Sequence, residues 1–204
     1  MTRRMTFRRP LALAATSVVV LAACGGDEEA TLTGYQRDPA PDVSEITLPD
    51  IETGDEVALR ADEGELLAIY FGYTHCPDFC PTTMSDLRLA LRRMDEDEAD
   101  RVDVAMVTVD PDRDLEILPE YVGGFFEDGI ALGTTDAAAL ATAAAPFGAT
   151  YNVQTNDEGE IEVAHSTALY VVDDEGKLVL TWQFGVEIDE LKNDLEILLD
   201  GYSA

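Results

Sequence analysis

Two almost continuously apolar runs are the clearest feature of the hydrophobic pattern along the chain. The first covers residues 66–73 (LLAIYFGY) and the second covers residues 102–110 (VDVAMVTVD). Runs of this length and composition are typical of strands that are buried on both faces of a sheet. Residues 166–185 predict two further strands, joined by a turn at residues 174–176, where Asp, Glu and Gly interrupt the apolar positions.

Apolar positions at helical spacing lie between and after these strands. Met84, Leu87, Leu91 and Met94 repeat at intervals of three and four residues, which predicts an amphipathic helix after the first run. Weaker patterns predict the remaining elements. The strands are a hairpin over 46–60 that turns at 53–55 and a short strand within 131–136. The helices are one over 115–126 disturbed by Pro119, an Ala-rich one over 136–148 capped by Asp136, and a closing amphipathic one over 187–201 that stops at Gly201.

The order of these elements predicts the fold class. A buried strand, two cysteines at the start of a helix and a second buried strand are typical of the thioredoxin-like α/β fold, with a central mixed sheet flanked by helices. We expect one such domain over residues 46–204. Residues 24–45 are polar, contain Gly and Pro and show no periodicity, so they predict a flexible tether.

The first 23 residues have the composition of a secretory signal. Four arginines precede an apolar segment at residues 11–23, which is too short to cross a bilayer core needing about 20 residues. The segment ends in LAAC followed by GG, which resembles the cleavage box of bacterial lipoproteins. We therefore expect Cys24 to be acylated and the protein to be held on the extracytoplasmic face of the cell membrane.

The charge balance excludes one class of partner. The chain has 13 basic and 42 acidic residues, a formal net charge of -29. Such a surface repels nucleic-acid phosphates, so nucleic-acid binding is excluded as a function. It also repels anionic lipid headgroups, which makes the predicted acyl chains the expected means of membrane attachment.

The cysteine count concentrates the chemistry on one pair. The chain has three cysteines, and acylation of Cys24 would leave only Cys76 and Cys80 as thiols in an oxidising compartment. They could form a structural disulfide, a redox couple or a metal site. A disulfide four residues apart closes a very short loop and adds little stability, so a purely structural role is disfavoured.

The residue types favour a soft metal ion. A helix N-terminus stabilises thiolates, and residues four apart on a helix share one face. Two thiolates favour Cu(I) or zinc, but the chain has too few other Cys and His residues for a closed zinc site. His165 could supply a third ligand from a distant loop. His75 would have to fold back to reach the same ion, so we expect it to be structural.

The segments FGYTHCPDFCP (71–81), TVDPDRD (108–114) and a His shortly before LYVVDDEG (169–176) resemble the SCO/SenC family of copper-binding, thioredoxin-like proteins. The resemblance implies that Cys76, Cys80 and His165 bind copper, as Cu(I) or Cu(II). It also implies a partner, the binuclear copper centre of cytochrome c oxidase, to which the family delivers copper or whose cysteines it keeps reduced. The family usually has Asp before the ligand His, where this chain has Ala164. Since an outer carboxylate orients an imidazole, we expect weaker copper binding here.

Two functions are therefore predicted. The first is a non-catalytic copper metallochaperone that passes its ion to a partner by ligand exchange. The second is a thiol-disulfide oxidoreductase in which Cys76 attacks a partner disulfide and Cys80 resolves the mixed disulfide. The sequence favours the metallochaperone, because thioredoxins separate their cysteines by two residues rather than three and need no distant imidazole.

Overall fold

The structure, a computed structural model, describes residues 31–201 of the 204-residue chain. The predicted signal segment at residues 1–23 and the predicted acylation site at Cys24 lie outside the described residues. None of the helices formed by residues 31–201 has the length and apolar character that a membrane crossing requires.

A five-stranded mixed sheet forms the centre of the domain. Strands β3, β4 and β5 run parallel, β8 is antiparallel to β3, and β9 is antiparallel to β8, so the order across the sheet is β5-β4-β3-β8-β9. Every residue of β3 is buried, as the continuous apolar run predicts. The strands are β3 (Leu66–Gly72), β4 (Val102–Thr108), β5 (Ile130–Leu132), β8 (Leu169–Val172) and β9 (Leu178–Trp182).

Two antiparallel ribbons lie outside the central sheet. The predicted N-terminal hairpin is confirmed as β1 (Thr47–Pro49) paired with β2 (Glu56–Ala58). The second ribbon pairs β6 (Tyr151–Thr155) with β7 (Ile161–His165) and was not predicted from the sequence. This second ribbon matters for function, because its last residue is His165.

Helices cover both faces of the sheet. Buried residues of α1, α4 and α6 pack together on one face, whereas those of α5 pack on the other face with the N-terminal hairpin. The thioredoxin-like α/β prediction, with a central mixed sheet flanked by helices, is thereby confirmed. The helices are α1 (Phe79–Leu91), α2 (Glu96–Ala99), α3 (Pro111–Asp114), α4 (Leu118–Gly123), α5 (Ala137–Ala144, continued by a 3-10 turn at Ala145–Phe147) and α6 (Ile188–Asp200).

The structure differs from the sequence expectation in the segment before the first hairpin. Residues 33–43, here called the N-terminal strap, fall within the predicted tether at 24–45 but lie against the domain. Tyr35 exchanges two backbone hydrogen bonds with Thr181 of β9, at 2.8 and 3.0 Å. Val43 is fully buried. These contacts have no apolar periodicity to reveal them, because they are made largely by the backbone.

A buried carboxylate fastens the strap to the last helix. Asp194 of α6 is 1% exposed. It accepts hydrogen bonds from the backbone N–H groups of Thr33 and Gly34, each at 2.8 Å, and from the Trp182 indole at 2.7 Å. Burying a carboxylate is costly unless its oxygens are hydrogen-bonded, and these three donors offset that cost.

Candidate metal centre

Cys76 and Cys80 lie on either side of the point where helix α1 begins. Strand β3 ends at Gly72 and α1 begins at Phe79, so Cys80 is in the first turn and Cys76 is in the preceding loop. The sequence placed both cysteines on one helix, and that part of the interpretation was wrong. They converge nevertheless, because the backbone N–H of Cys80 donates to the Cys76 sulfur at 3.3 Å. The sulfur thus accepts from a helix-terminal N–H that has no partner within the helix.

His165 approaches the dithiol from the end of strand β7. Its Nε2 lies 3.5 Å from the Cys80 sulfur. Its Nδ1 lies 3.0 Å from the carbonyl oxygen of Phe71 and 2.8 Å from that of Ser166. Carbonyl oxygens only accept, so Nδ1 carries the proton and the lone pair of Nε2 faces the sulfur. The ligand atoms of Cys76, Cys80 and His165 all lie within 4.8 Å of one another.

Burial favours the neutral forms of Cys80 and His165. Cys76 is 6% exposed and Cys80 is fully buried, and both are free thiols. Burial raises the pKa of the Cys80 thiol to about 12. Burial also lowers the pKa of His165 below its usual value, despite the opposing hydrogen bonds to Ser166 and Phe71. At neutral pH the imidazole therefore offers a lone pair, whereas Cys80 must lose a proton to bind a metal ion.

Aromatic side chains and one glycine shape the surroundings of the sulfurs. The Tyr70 hydroxyl lies 3.7 Å from the Cys80 sulfur, and the rings of Tyr70 and Tyr73 meet the His165 ring edge to face at 6.1 and 5.5 Å. A Cβ on Gly72 would lie 3.0 Å from the Cys80 sulfur and 2.7 Å from the Tyr70 ring. Sequence reasoning missed these residues, although a glycine inside an apolar strand is a known sign of close approach.

His75 lies outside the three-ligand group and is bound to a different partner. Its Nδ1 is 3.0 Å from the hydroxyl of Thr74 and 3.4 Å from the carboxylate of Asp114. Asp114 is fully buried and accepts from the Thr74 N–H at 2.9 Å, the Thr74 hydroxyl at 2.6 Å and the Thr108 hydroxyl at 2.7 Å. Asp114, the last residue of the TVDPDRD segment, thus fixes the loop that carries His75 and Cys76.

The outer partner of His165 is backbone rather than a carboxylate. Ala164 precedes His165 on β7, and neighbouring residues of a strand point to opposite faces. A carboxylate at position 164 would therefore start on the face away from the His165 ring. The carbonyl oxygens of Phe71 and Ser166 accept from Nδ1 and so orient the His165 ring in place of a carboxylate. These carbonyl contacts do not favour the expected weakening of copper binding by Ala164, which stays a prediction.

The donor set has the chemistry of a copper site. Two thiolates and one imidazole are soft to borderline ligands, which suit copper better than hard cations such as Mg²⁺ or Ca²⁺. A closed zinc site needs four protein ligands, and the described residues bring together three. The protein is therefore a thioredoxin-like domain with a copper-type site, formed by two almost fully buried thiols and an imidazole whose Nε2 lone pair faces them.

The family follows from comparison with known proteins. A family model described as SCO1/SenC matches residues 42–200, nearly the whole of the described domain. The chain belongs to this family, as the resemblance of its motifs implied.

Individual relatives agree with this assignment. The human mitochondrial protein SCO2 homolog is 33% identical over 121 residues, which are 57% of this chain and 45% of that protein, so the match spans less than half of its length. The solution structure of apo Sco1 from Thermus thermophilus is 28% identical with a TM-score of 0.66, and covers 86% of this chain and 98% of that one. The structure of Bradyrhizobium japonicum ScoI with copper bound is 28% identical with a TM-score of 0.62, and covers 74% of this chain and 95% of that one.

Proposed function

We propose that this protein is a copper metallochaperone that binds copper through Cys76, Cys80 and His165 and delivers it to the binuclear copper centre of cytochrome c oxidase. The observation that carries the proposal is the convergence of the three ligand atoms within 4.8 Å around two unbridged thiols. The copper-bound ScoI relative supports copper as the ion. Copper is here a cargo, so the site must both hold the ion and release it.

The site is suited to release as well as to binding. Cys76 retains some exposure, at 6%, whereas Cys80 retains none. His165 is half-buried and so is the most exposed of the three ligands. An incoming ligand from a partner can therefore reach the ion from the side of His165 and Cys76 while Cys80 still holds it. Copper transfer between thiolate sites by stepwise ligand exchange needs one such accessible ligand.

We further propose that the domain acts at the outer surface of the cell membrane, held by acyl chains on Cys24. The support is the sequence of the N-terminal segment and the position of the strap. Cys24 lies seven residues before Thr31, where the described chain begins, and seven residues reach at most about 25 Å. The domain would therefore stay close to the membrane that contains the proposed recipient.

One observation favours thiol-disulfide exchange as a second function of the same residues. Cys76 and Cys80 are free, in contact through the Cys80 N–H, and unequal in exposure. Disulfide exchange depends on access to the attacking thiol, and Cys76 is the less buried of the two. In this role the protein would keep the recipient's cysteines reduced.

A transfer experiment separates the two functions. The full chain, loaded with copper, is mixed with the copper-free recipient subunit, and the absorption of the binuclear copper centre is recorded. With reduced recipient cysteines, a metallochaperone restores that absorption, and Cys76→Ser and Cys80→Ser variants do not. If the copper-loaded chain transfers nothing, but the metal-free dithiol reduces an oxidised recipient, the reductase is the function and delivery is wrong.

A further inference from the structure

His75 is arranged like a metal ligand although it lies outside the three-ligand site. Its side chain is 48% exposed, and it directly precedes Cys76 in the chain. The proton positions around it are determined by the network. The Thr74 hydroxyl has one proton and donates it to Asp114 at 2.6 Å. The 3.0 Å contact between that hydroxyl and His75 Nδ1 therefore requires Nδ1–H as the donor, which leaves the lone pair on Nε2.

This arrangement repeats what is seen at His165. In both residues Nδ1–H donates to oxygen and Nε2 is free to bind a metal ion. The oxygen network of His75 includes the buried carboxylate of Asp114, and a carboxylate behind a ligand imidazole fixes the orientation of its ring. The difference is exposure, because His165 faces the thiols and His75 is open to solvent.

An open cavity of about 340 Å³ adjoins His75. Its other lining residues include Glu120, whose side chain is exposed, and Tyr121. The Tyr121 hydroxyl is buried and has no hydrogen-bond partner among residues 31–201. Tyr121 also packs against the core cluster that contains Cys76 and Cys80. The cavity thus offers an imidazole and a carboxylate, and one of its lining residues, Tyr121, packs against the cluster that contains the dithiol.

We propose that His75 is an entry ligand that captures Cu(II) at this cavity, with the carboxylate of Glu120, before the ion reaches the dithiol. Imidazole and carboxylate are ligands that Cu(II) accepts readily, whereas the buried thiols suit the ion once it is desolvated. The net charge of -29 attracts cations and so raises the local concentration of copper ions near His75 and Glu120.

The transfer step is a ligand exchange. The bonds from His75 Nε2 and the Glu120 carboxylate to copper break as bonds from the sulfurs of Cys76 and Cys80 and from His165 Nε2 form. Each thiol that binds the ion releases its proton to solvent, and the oxidation state of the ion is unchanged. This inference rests on the proposed copper-binding function, since it describes how the ion reaches that site.

The first test removes the inner site and leaves the outer one. The chain has two histidines, so in a Cys76→Ser/Cys80→Ser/His165→Ala variant of the full chain His75 is the last imidazole. Cu(II) sulfate is added with glycine as a weak competitor, and electron spin-echo modulation detects the remote nitrogen of a copper-bound imidazole. We expect this signal, and we expect its loss on adding His75→Gln. Copper bound without the imidazole signal, by surface carboxylates alone, would overturn the proposal.

The second test measures the rate of uptake with the inner site intact. Stopped-flow mixing with Cu(II) sulfate follows the thiolate-to-Cu(II) absorption in wild type, His75→Gln and Glu120→Gln. We expect both changes to slow uptake, His75→Gln by about tenfold, with equilibrium affinity changed less than about twofold, since the ion does not stay on the outer ligands. Glu96→Gln, which removes an exposed carboxylate from α2, is the matched control and should leave the rate unchanged.

These outcomes separate the two proposals. Equal uptake rates for wild type and His75→Gln would contradict the entry role while leaving the three-ligand site intact. Absence of thiolate-to-Cu(II) absorption in wild type would instead contradict the proposed function, and the spin-echo measurement on the triple variant would still decide whether His75 binds copper.

Discussion

Raising the pH from 6.5 to 8.5 should tighten copper binding by at least about 100-fold. The reason is the buried Cys80 thiol, whose pKa of about 12 keeps it protonated throughout this range. Binding copper as a thiolate releases that proton, and each released proton makes the apparent affinity rise about tenfold per pH unit. His165 adds little to this slope, because burial lowers its pKa and so favours the neutral imidazole.

The raised pKa of Cys80 also sets the free energy that its deprotonation costs when copper binds. Deprotonating a thiol of pKa about 12 at pH 7 costs about 7 kcal/mol, at 1.36 kcal/mol per pH unit. The copper–sulfur bond must supply at least this free energy. Without copper the Cys80 proton stays in place, which is consistent with the short contact from its sulfur to His165 Nε2.

The assay is an anaerobic competition between the reduced full chain and a coloured Cu(I) chelator whose own affinity is constant over this pH range. Protons released per bound copper are measured in parallel with an indicator dye in weakly buffered solution. We expect at least one proton to be released per bound copper. An affinity that does not change with pH, with no proton released, would show that Cys80 is not a thiolate ligand.

Three further predictions concern the anchor, the strap and the strand that carries His165. Mass spectrometry of the chain extracted from membranes should find Cys24 as an acylated N-terminal residue, and an unmodified Cys24 would contradict the anchor. Asp194→Ala should lower the free energy of unfolding, measured in urea, by about 3 kcal/mol. The reason is that three N–H groups at 2.7–2.8 Å, including the Trp182 indole, lose the carboxylate that accepts their hydrogen bonds. A decrease of less than about 0.5 kcal/mol would refute this. Ala164→Asp should change Cu(II) affinity by less than about threefold, since backbone carbonyls already hold the imidazole, and a tenfold gain would restore the carboxylate argument.

The central sheet and the dithiol could be predicted because their signals are local. An apolar run such as residues 66–73 is buried wherever it lies in a sheet, and two cysteines four residues apart can meet with little dependence on the rest of the chain. The closing helix was equally visible, since Leu191, Leu195 and Leu199 mark its buried face.

The features that were missed depend on contacts between distant residues. The β6–β7 ribbon is an exception, because Tyr151 and Val153 of β6 and Ile161 and Val163 of β7 alternate with polar residues and this hairpin signal was overlooked. The approach of His165 to Cys80, by contrast, joins residues 85 apart in the chain and could not be derived. The partnership of Thr74 with Asp114 joins residues 40 apart in the chain. The strap is held mainly through backbone N–H and carbonyl groups, which every sequence possesses.

The most direct test of the central claim is an anaerobic copper titration of the reduced full chain beside Cys76→Ser, Cys80→Ser and His165→Ala. We predict one tightly bound copper per wild-type chain, and a loss of Cu(I) affinity of at least about 100-fold, or about 2.8 kcal/mol, in each serine variant. His165→Ala should weaken Cu(II) binding far more than Cu(I) binding, because Cu(I) accepts two ligands and Cu(II) prefers more. A serine variant that binds one copper with wild-type affinity, while unfolding at the wild-type temperature, would contradict the assignment of Cys76, Cys80 and His165 as the copper site.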